Sequence, residues 1–430
     1  MIKWTIFSVA GAVLFSSLLH AADFMTLEQA IDTALKNNPQ IQAQDENVMA
    51  MKMEKNVSFS AMLPKVDMSY GYQRLNAAPS IALPSSPFLP SEIPMGTRDN
   101  YKFSLSATQT LYAGGALYNA YKISDNTYQS ADITRDQTKR DLKRQVIEAY
   151  YGLIQARQTL DVAKSSTVSI KSHLDVANAF FKQGMIPKND LLEAEVRYAQ
   201  SLQTLLQAEN AVRLSEANLN QLLSRDLASP VDIDKEIPMP DMKTSLEEST
   251  ATANEQRQEL KVTQLGIDSA NKGITISKAG YLPSLAATGA YTRTGDHPDV
   301  DDEAWTIGMG LTWNLFQGGS TCYNVSKATA DRNKMNYIYQ AQKNMIALEV
   351  KNAYLTAQEA KARTAVAEKS IEQAQENLRI QKDRYNLQVA TTTDVLDAES
   401  LLDQSRMNHI TARSDYAKAL AALQAAMGTL

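Results

Sequence analysis

Asp394 and Asp397 are two aspartates three positions apart. On a helix, that spacing sets both carboxylates on one face. The same pair also suits a first helical turn, where aspartate accepts backbone N–H groups and meets the positive end of the helix dipole. A second acidic group, Asp296, Asp299, Asp301, Asp302 and Glu303, surrounds His297. One imidazole among carboxylates could hold a divalent cation, but an acidic loop is more often simply solvated, and no metal is expected. The pairs Gly114-Gly115 and Gly318-Gly319 lack the lysine and spacing of a phosphate-binding loop and suit strand-to-helix junctions instead. With four histidines in 430 residues and no Ser/His/Asp arrangement, neither catalysis nor a cofactor is expected.

The elements that position the aspartates come in two copies. Leu111-Tyr112-Ala113-Gly114-Gly115 is matched by Leu315-Phe316-Gln317-Gly318-Gly319, an offset of 204 (111 to 315). That offset then runs without a gap through Ala149-Tyr150 and Ala353-Tyr354, Phe181 and Tyr385, Asp190 and Asp394, and Leu219 and Leu423. Upstream it is 219 (64 to 283), pairing Leu63-Pro64 with Leu282-Pro283. The difference is an insertion between Asn76 and Gly96, where Pro79, Pro84, Pro87, Pro90 and Pro94 predict an exposed loop without regular structure. The organisation expected is a leader over 1–22, a first repeat over 23–228, a linker over 229–244 and a second repeat over 245–430.

Each repeat reads helix, two strands, helix, turn, helix. Val66, Met68, Tyr70 and Tyr72 alternate with polar residues, as do Tyr101, Phe103, Leu105 and Ala107. In the second repeat Trp305, Ile307, Met309, Leu311 and Trp313 alternate with Thr306, Gly308, Gly310, Thr312 and Asn314, and Leu285 to Arg293 is a weaker version. Segments of about 9 to 11 residues with one apolar face and aromatic ends suit tilted strands in a membrane. After Gly115 the period becomes helical for about 65 residues, long enough for about 100 Å. Leu142, Val146, Ala149, Leu153, Ala156, Leu160 and Ala163 form its heptad stripe, matched by Ile346, Val350, Ala353, Ala357, Ala360, Thr364 and Ala367. Shorter helices, from Leu27 to about Met62 and from Asp190 to about Ser224, are expected to lie end to end beside it.

Lys3 followed by an apolar run from Ile6 to Leu19 and the small residues Ala21-Ala22 reads as a secretory leader, cleaved after Ala21 or Ala22. The mature chain is then extracytoplasmic. Cys322, the sole cysteine, is far from that site, so no lipidated N-terminus is expected. Mean hydropathy is -0.33 and the net charge is -5, which argues against membrane helices and a nucleic-acid surface. Four strands cannot close a barrel, and an open edge in lipid leaves backbone groups unpaired at several kcal/mol each. Copies must therefore associate; two or three would both satisfy the arithmetic.

The tandem architecture, Tyr385, and the run Thr393-Asp394-Val395-Leu396-Asp397-Ala398 together resemble the TolC-type outer-membrane efflux proteins over nearly the whole mature length. Phe181, Gly184 and Asp190 match the family's first turn. The resemblance implies a mainly α fold with membrane β: a long coiled-coil helical barrel, plus four strands per chain contributing to a trimeric twelve-stranded β-barrel. It also implies a homotrimer in outer-membrane lipid, extending into the periplasm, which docks a periplasmic adaptor and an inner-membrane transporter in efflux or type I secretion. Asp394 and Asp397 would line the entrance, where a threefold ring of carboxylates favours cations and raises their pKa values. Tyr385, Asp190 and Asn189 match gate positions. Ala390 stands where the family pattern can place an arginine, and Gln388 where it places glycine. The tips carrying Gly184, Met185, Ile186, Leu387 and Val389 would meet the adaptor. The competing reading is a periplasmic coiled-coil adaptor or scaffold, which would have one hairpin rather than two matched ones.

Overall fold

The computed structural model describes residues 24–82 and 92–430, so the leader and Pro84, Pro87 and Pro90 of the inserted loop lie outside it. The first half runs β1 (Phe24–Met25), α1 (Leu27–Asn37), α2 (Pro39–Ser60), β2 (Lys65–Arg74), β3 (Ser80–Ala82), β4 (Glu92–Pro94), β5 (Asp99–Ala113), α3 (Ala116–Lys182) and α4 (Lys188–Leu222). The second half runs β6 (Asp232–Ile233), α5 (Leu246–Gln256), α6 (Gln258–Ala279), β7 (Ser284–Gly295), β8 (Asp302–Thr312), α7 (Ser320–Asn386) and α8 (Thr392–Met427). Both α3 and α7 have 67 residues, about 100 Å at 1.5 Å each. The helix α3 lies against α2 and α4, and α7 against α6 and α8, so each long helix has shorter ones stacked along it.

Local chemistry sets the boundaries. Gly115 and Gly319, with φ of 81° and 80°, turn each sheet into its long helix, which explains the glycine pairs. Capping boxes start α1 at Thr26 with Gln29, α5 at Ser245 with Glu248, and α8 at Thr391 with Asp394. The single helix expected from Leu27 to about Met62 is in fact α1 and α2, broken at Asn38. Pro39 forbids helical geometry to its predecessor, so Asn38 takes ψ 124° and caps α2 through the Gln40 N–H. The second half breaks at the equivalent place without a proline. There Arg257 takes ψ 123° and is held by Glu259, Glu349 and the Ala426 carbonyl. The inserted loop also departs from expectation: β3 and β4 pair across it, because a two-stranded ribbon leaves Pro94 on an edge where no N–H is needed.

The antiparallel sheet has the order β2-β5-β7-β8. The apolar residues of its edge strands are bare: Trp305, Ile307, Met309 and Leu311 are 66 to 81% exposed, and Val66 and Met68 lie in the same range. Leaving such side chains in water forgoes about 1.5–3 kcal/mol each. Among the described residues no helix is long and apolar enough to cross a membrane.

The main core sits at the waist of the helices. Ala30, Ala34 and Ile41 pack there with Leu142, Val146, Leu153 and Leu219, beneath Ile233 and Ile237 of the linker. The Tyr150 hydroxyl is shared between the Met25 carbonyl at 3.0 Å and Asp234 at 2.8 Å, pinning β1 and β6 to α3. Of the expected stripes, Leu142, Val146, Ala149, Leu153 and Ala163 are buried, as are Ile346, Val350, Ala357, Ala360 and Ala367. The remaining members, Ala156, Leu160, Ala353 and Thr364, are half-exposed.

Candidate functional site

At the end far from the sheet, the two helical hairpins close in two tips of matching backbone. Gly184 has φ 73° and lets the Met185 N–H reach the Phe180 carbonyl at 2.9 Å. Its counterpart Gln388 has φ 62°, with the Val389 N–H on the Arg384 carbonyl at 2.9 Å. The left-handed residue anticipated at Gln388 is therefore present, at a cost of about 1 kcal/mol relative to glycine. The capping box at Thr391 offsets it, whereas Pro187 starts α4 with no side-chain cap. Arg384 donates to the Val389 carbonyl at 3.2 Å, so an arginine does brace this tip, six positions before Ala390.

Asp394 accepts both the Thr391 N–H, at 2.8 Å, and its hydroxyl, at 2.9 Å. These bonds hold its carboxyl below the usual range. Within one chain Asp394 therefore serves in the capping box of α8 with Thr391. Asp394 and Asp397 are both exposed, while Val395, Leu396 and Ala398 between and beside them are buried. The residues matched to gate positions have different partners within one chain. Tyr385 is buried with its ring against His173 and Phe180, and its hydroxyl meets Thr392 at 3.3 Å. Asn189 instead donates to Asp190 at 2.7 Å. Of the tip residues, Met185, Leu387 and Val389 are exposed and Gly184 faces open space. Ile186 is not free: it packs on Leu174, Ala177, Leu191 and Ala194, because the apolar seam of its own hairpin continues to the turn.

Behind the tips, polar side chains join the first hairpin to the second. Thr393 donates to Glu193 at 3.1 Å, and Arg197 meets the Ser400 hydroxyl. Lys382 pairs with the buried Glu399 at 3.2 Å and donates to Ser169 at 2.9 Å. Ser166 donates to Asp403, whose carboxyl is pushed up by burial. His173 is driven down to about 4 by burial and by Lys382. Sequence reasoning missed these residues, although the i, i+4 pair Glu399 and Asp403 interrupts the seam between Leu396 and Ser405, and a charge on a seam is a readable signal.

His297 is exposed and lies 3.5 Å from Asp296, an ordinary solvated pair. Among the described residues no group of three metal-ligating side chains comes together.

Comparison with known proteins adds to this geometry. The outer membrane protein TolC of Vibrio cholerae is 22% identical over 420 residues, covering 94% of this chain and 91% of that protein. The alkaline protease secretion protein AprF of Pseudomonas aeruginosa is 24% identical over 412 residues, covering 92% of this chain and 83% of AprF. The crystal structure of the Campylobacter jejuni CmeC outer membrane channel has the same fold, with a TM-score of 0.82 at 19% identity, over 94% of this chain and 85% of that one. The family described as outer membrane efflux protein matches residues 30–225 and 251–429. With nearly the whole described chain matched, and a bare strand face joined to two 67-residue helices, the chain belongs to the outer membrane efflux protein family.

Proposed function

We propose that this chain is one subunit of a passive exit duct that crosses the outer membrane and continues inward through its helices, serving efflux or secretion. The carrying observation is that one chain joins a sheet with a bare apolar face to helices about 100 Å long. A scaffold confined to water would have to cover that face. Three copies would close a barrel of about twelve strands with an open lumen. In that assembly Asp394 and Asp397 gather into a ring at the entrance, and Gly184, Met185, Leu387 and Val389 face a periplasmic adaptor that couples the duct to an inner-membrane transporter. The expected leader is cleaved after Ala21 or Ala22. The relationship to AprF makes a secreted polypeptide one candidate cargo, and the relationship to efflux channels makes small molecules another. Flow through such a duct needs no catalytic group.

The polar contacts between hairpins suit an entrance that opens, because water can replace each of them as the tips separate. Planar-bilayer recording of the purified protein tests the reading. A stable cation-selective pore is expected, and Asp394→Ala with Asp397→Ala should abolish the selectivity while leaving the pore. Folded, membrane-extracted protein that never conducts would refute the duct, and unchanged selectivity in the double variant would refute the ring.

A further inference from the structure

Two cavities lie at the waist, and the repeat offsets carry one onto the other. In the first repeat Asn38, Pro39, Gln40, Gln145, Glu148 and Asn218 help line a space of about 810 Å³. Their counterparts Arg257, Gln258, Glu259, Glu349, Asn352 and Ala422 help line one of about 590 Å³ in the second. The shape is thus inherited from the repeated fold, while the lining is not. Where α4 presents Ser215, Asn218, Gln221 and Leu222, α8 presents Ala419, Ala422, Ala425 and Ala426, and Met345 and Leu348 of α7 extend that apolar wall. Arg140, Asp141 and Arg144 of α3 complete the second cavity.

The hydrogen bonds of its polar wall decide what this cavity can receive. Each guanidinium already donates: Arg140 to the Gly428 carbonyl at 3.0 Å, Arg144 to Glu148 at 2.7 Å, and Arg257 to Glu259, Glu349 and the Ala426 carbonyl. Gln137 donates to Glu259 at 3.3 Å. Among the charged and the buried groups two are left over, and both accept. Gln258 is 9% exposed, and its Oε1 is shut from solvent with no partner among the described residues. Leaving such an oxygen unpaired costs about 1–3 kcal/mol. Asp141 has Arg144, Arg257, Glu259 and Glu349 as charged neighbours and bonds to none of them. Around it, three carboxylates stand against two guanidiniums.

We propose that the second-repeat cavity binds an organic ammonium compound, whose N–H groups are received by Asp141 and the Gln258 Oε1 while its apolar body lies on the alanine wall. A primary ammonium carries three N–H donors, enough for both acceptors. An apolar wall with a few convergent polar groups, in a space of this volume, is the usual setting for a drug-sized molecule. An anion would be repelled by Asp141 and would leave the Gln258 oxygen without a donor. The first-repeat cavity has Pro39 where the second has Gln258, and so lacks the buried acceptor. The proposal stands on the cavity and does not require the duct reading.

Fluorescence titration of the purified full-length protein in an uncharged detergent tests it with naphthylmethylammonium, and with naphthylacetate, which has a similar body and the opposite charge. The ammonium should bind saturably, and naphthylacetate should not. Asp141→Asn should weaken the ammonium about tenfold, the size of one charged hydrogen bond near solvent. Ala422→Phe fills the apolar wall and should abolish binding, whereas Asn218→Phe in the first-repeat cavity should leave it unchanged. Should Ala422→Phe fail to fold, Asp141→Asn and Gln258→Leu carry the decision. Tighter binding of naphthylacetate, or ammonium binding that neither Asp141→Asn nor Gln258→Leu weakens, would overturn the chemistry assigned. Binding lost in Asn218→Phe and kept in Ala422→Phe would overturn the location. Protein that conducts in a bilayer yet binds neither probe saturably would overturn the site and leave the duct standing.

Discussion

Replacing Arg257 by alanine should loosen the junction between α5 and α6 while leaving the equivalent junction between α1 and α2 intact. The Arg257 guanidinium is 10% exposed; it donates to Glu259 at 2.8 and 2.9 Å, to both Glu349 oxygens at 2.9 Å and to the Ala426 carbonyl at 3.1 Å. A hydrogen bond to a charged group is worth about 1.5–3 kcal/mol net. Glu349 is half-exposed and its share is screened, so about 2–3 kcal/mol is a fair total for the whole cluster. Since 1.4 kcal/mol is tenfold, amide exchange in the last turn of α5 should speed up between about thirty and a hundred and forty fold. Hydrogen exchange read by mass spectrometry reports this directly, with α1 as the internal control. Adding Gln258→Pro recreates the device used at Asn38-Pro39, because proline holds its predecessor extended and is accepted at the first helical position. The double variant should regain part of the protection. Exchange in α5 that is unchanged by Arg257→Ala, or a proline that restores nothing, would refute the idea that the arginine cluster does in one repeat what the proline does in the other.

Three further outcomes follow from the tips. Asp394 is held below the usual carboxylate range by Thr391, so its charge is present above that range and is lost only as pH falls through the depressed value. Thr391→Val removes the hydroxyl bond, and reversal potentials titrated downward should then lose cation selectivity at a higher pH than in the unaltered protein. His173 is buried neutral with a pKa of about 4 against an ordinary 6.5. Its contribution is complete above 6.5 and declines by about 3 kcal/mol as pH drops to 4, so thermal melts across that window should flatten in His173→Leu. Gln388→Gly should stabilise the second tip by about 1 kcal/mol, read as slower exchange of the Val389 amide, and Gly184→Gln should do the reverse in the first.

What could be read in advance and what could not divides along sequence distance. The offsets located both 67-residue helices, the glycine junctions and the left-handed residue at Gln388, because each is written in neighbouring residues or in the copy. The period-2 stripes located the four strands of the main sheet but not β3 and β4. The break at Arg257 was not legible, since no nearby residue demands it; it depends on Glu349, 92 positions away. The links from Lys382 to Ser169 and from Thr393 to Glu193 join residues 213 and 200 apart, so composition could show that a charge lay on a seam but not which hydroxyl it met. Ile186 was read as free because the turn looks exposed in sequence, whereas the hairpin folds its own apolar face over that position. The resemblance matches Tyr385, Asn189 and Asp190 to gate positions; what neighbouring residues do not show is that the Tyr385 ring packs against His173 and Phe180.

The waist where Tyr150 ties α3 to β1 and β6 acts as a fulcrum. From there to Lys182 the helix runs on for 32 residues, a stiff arm of about 48 Å. A tilt of about five degrees at the fulcrum carries the tip sideways by about 4 Å, further than the 3.1 Å bond from Thr393 to Glu193 can stretch. Repacking of Ala30, Ile41 or Leu219 at the waist would thus reach the tips with its displacement magnified.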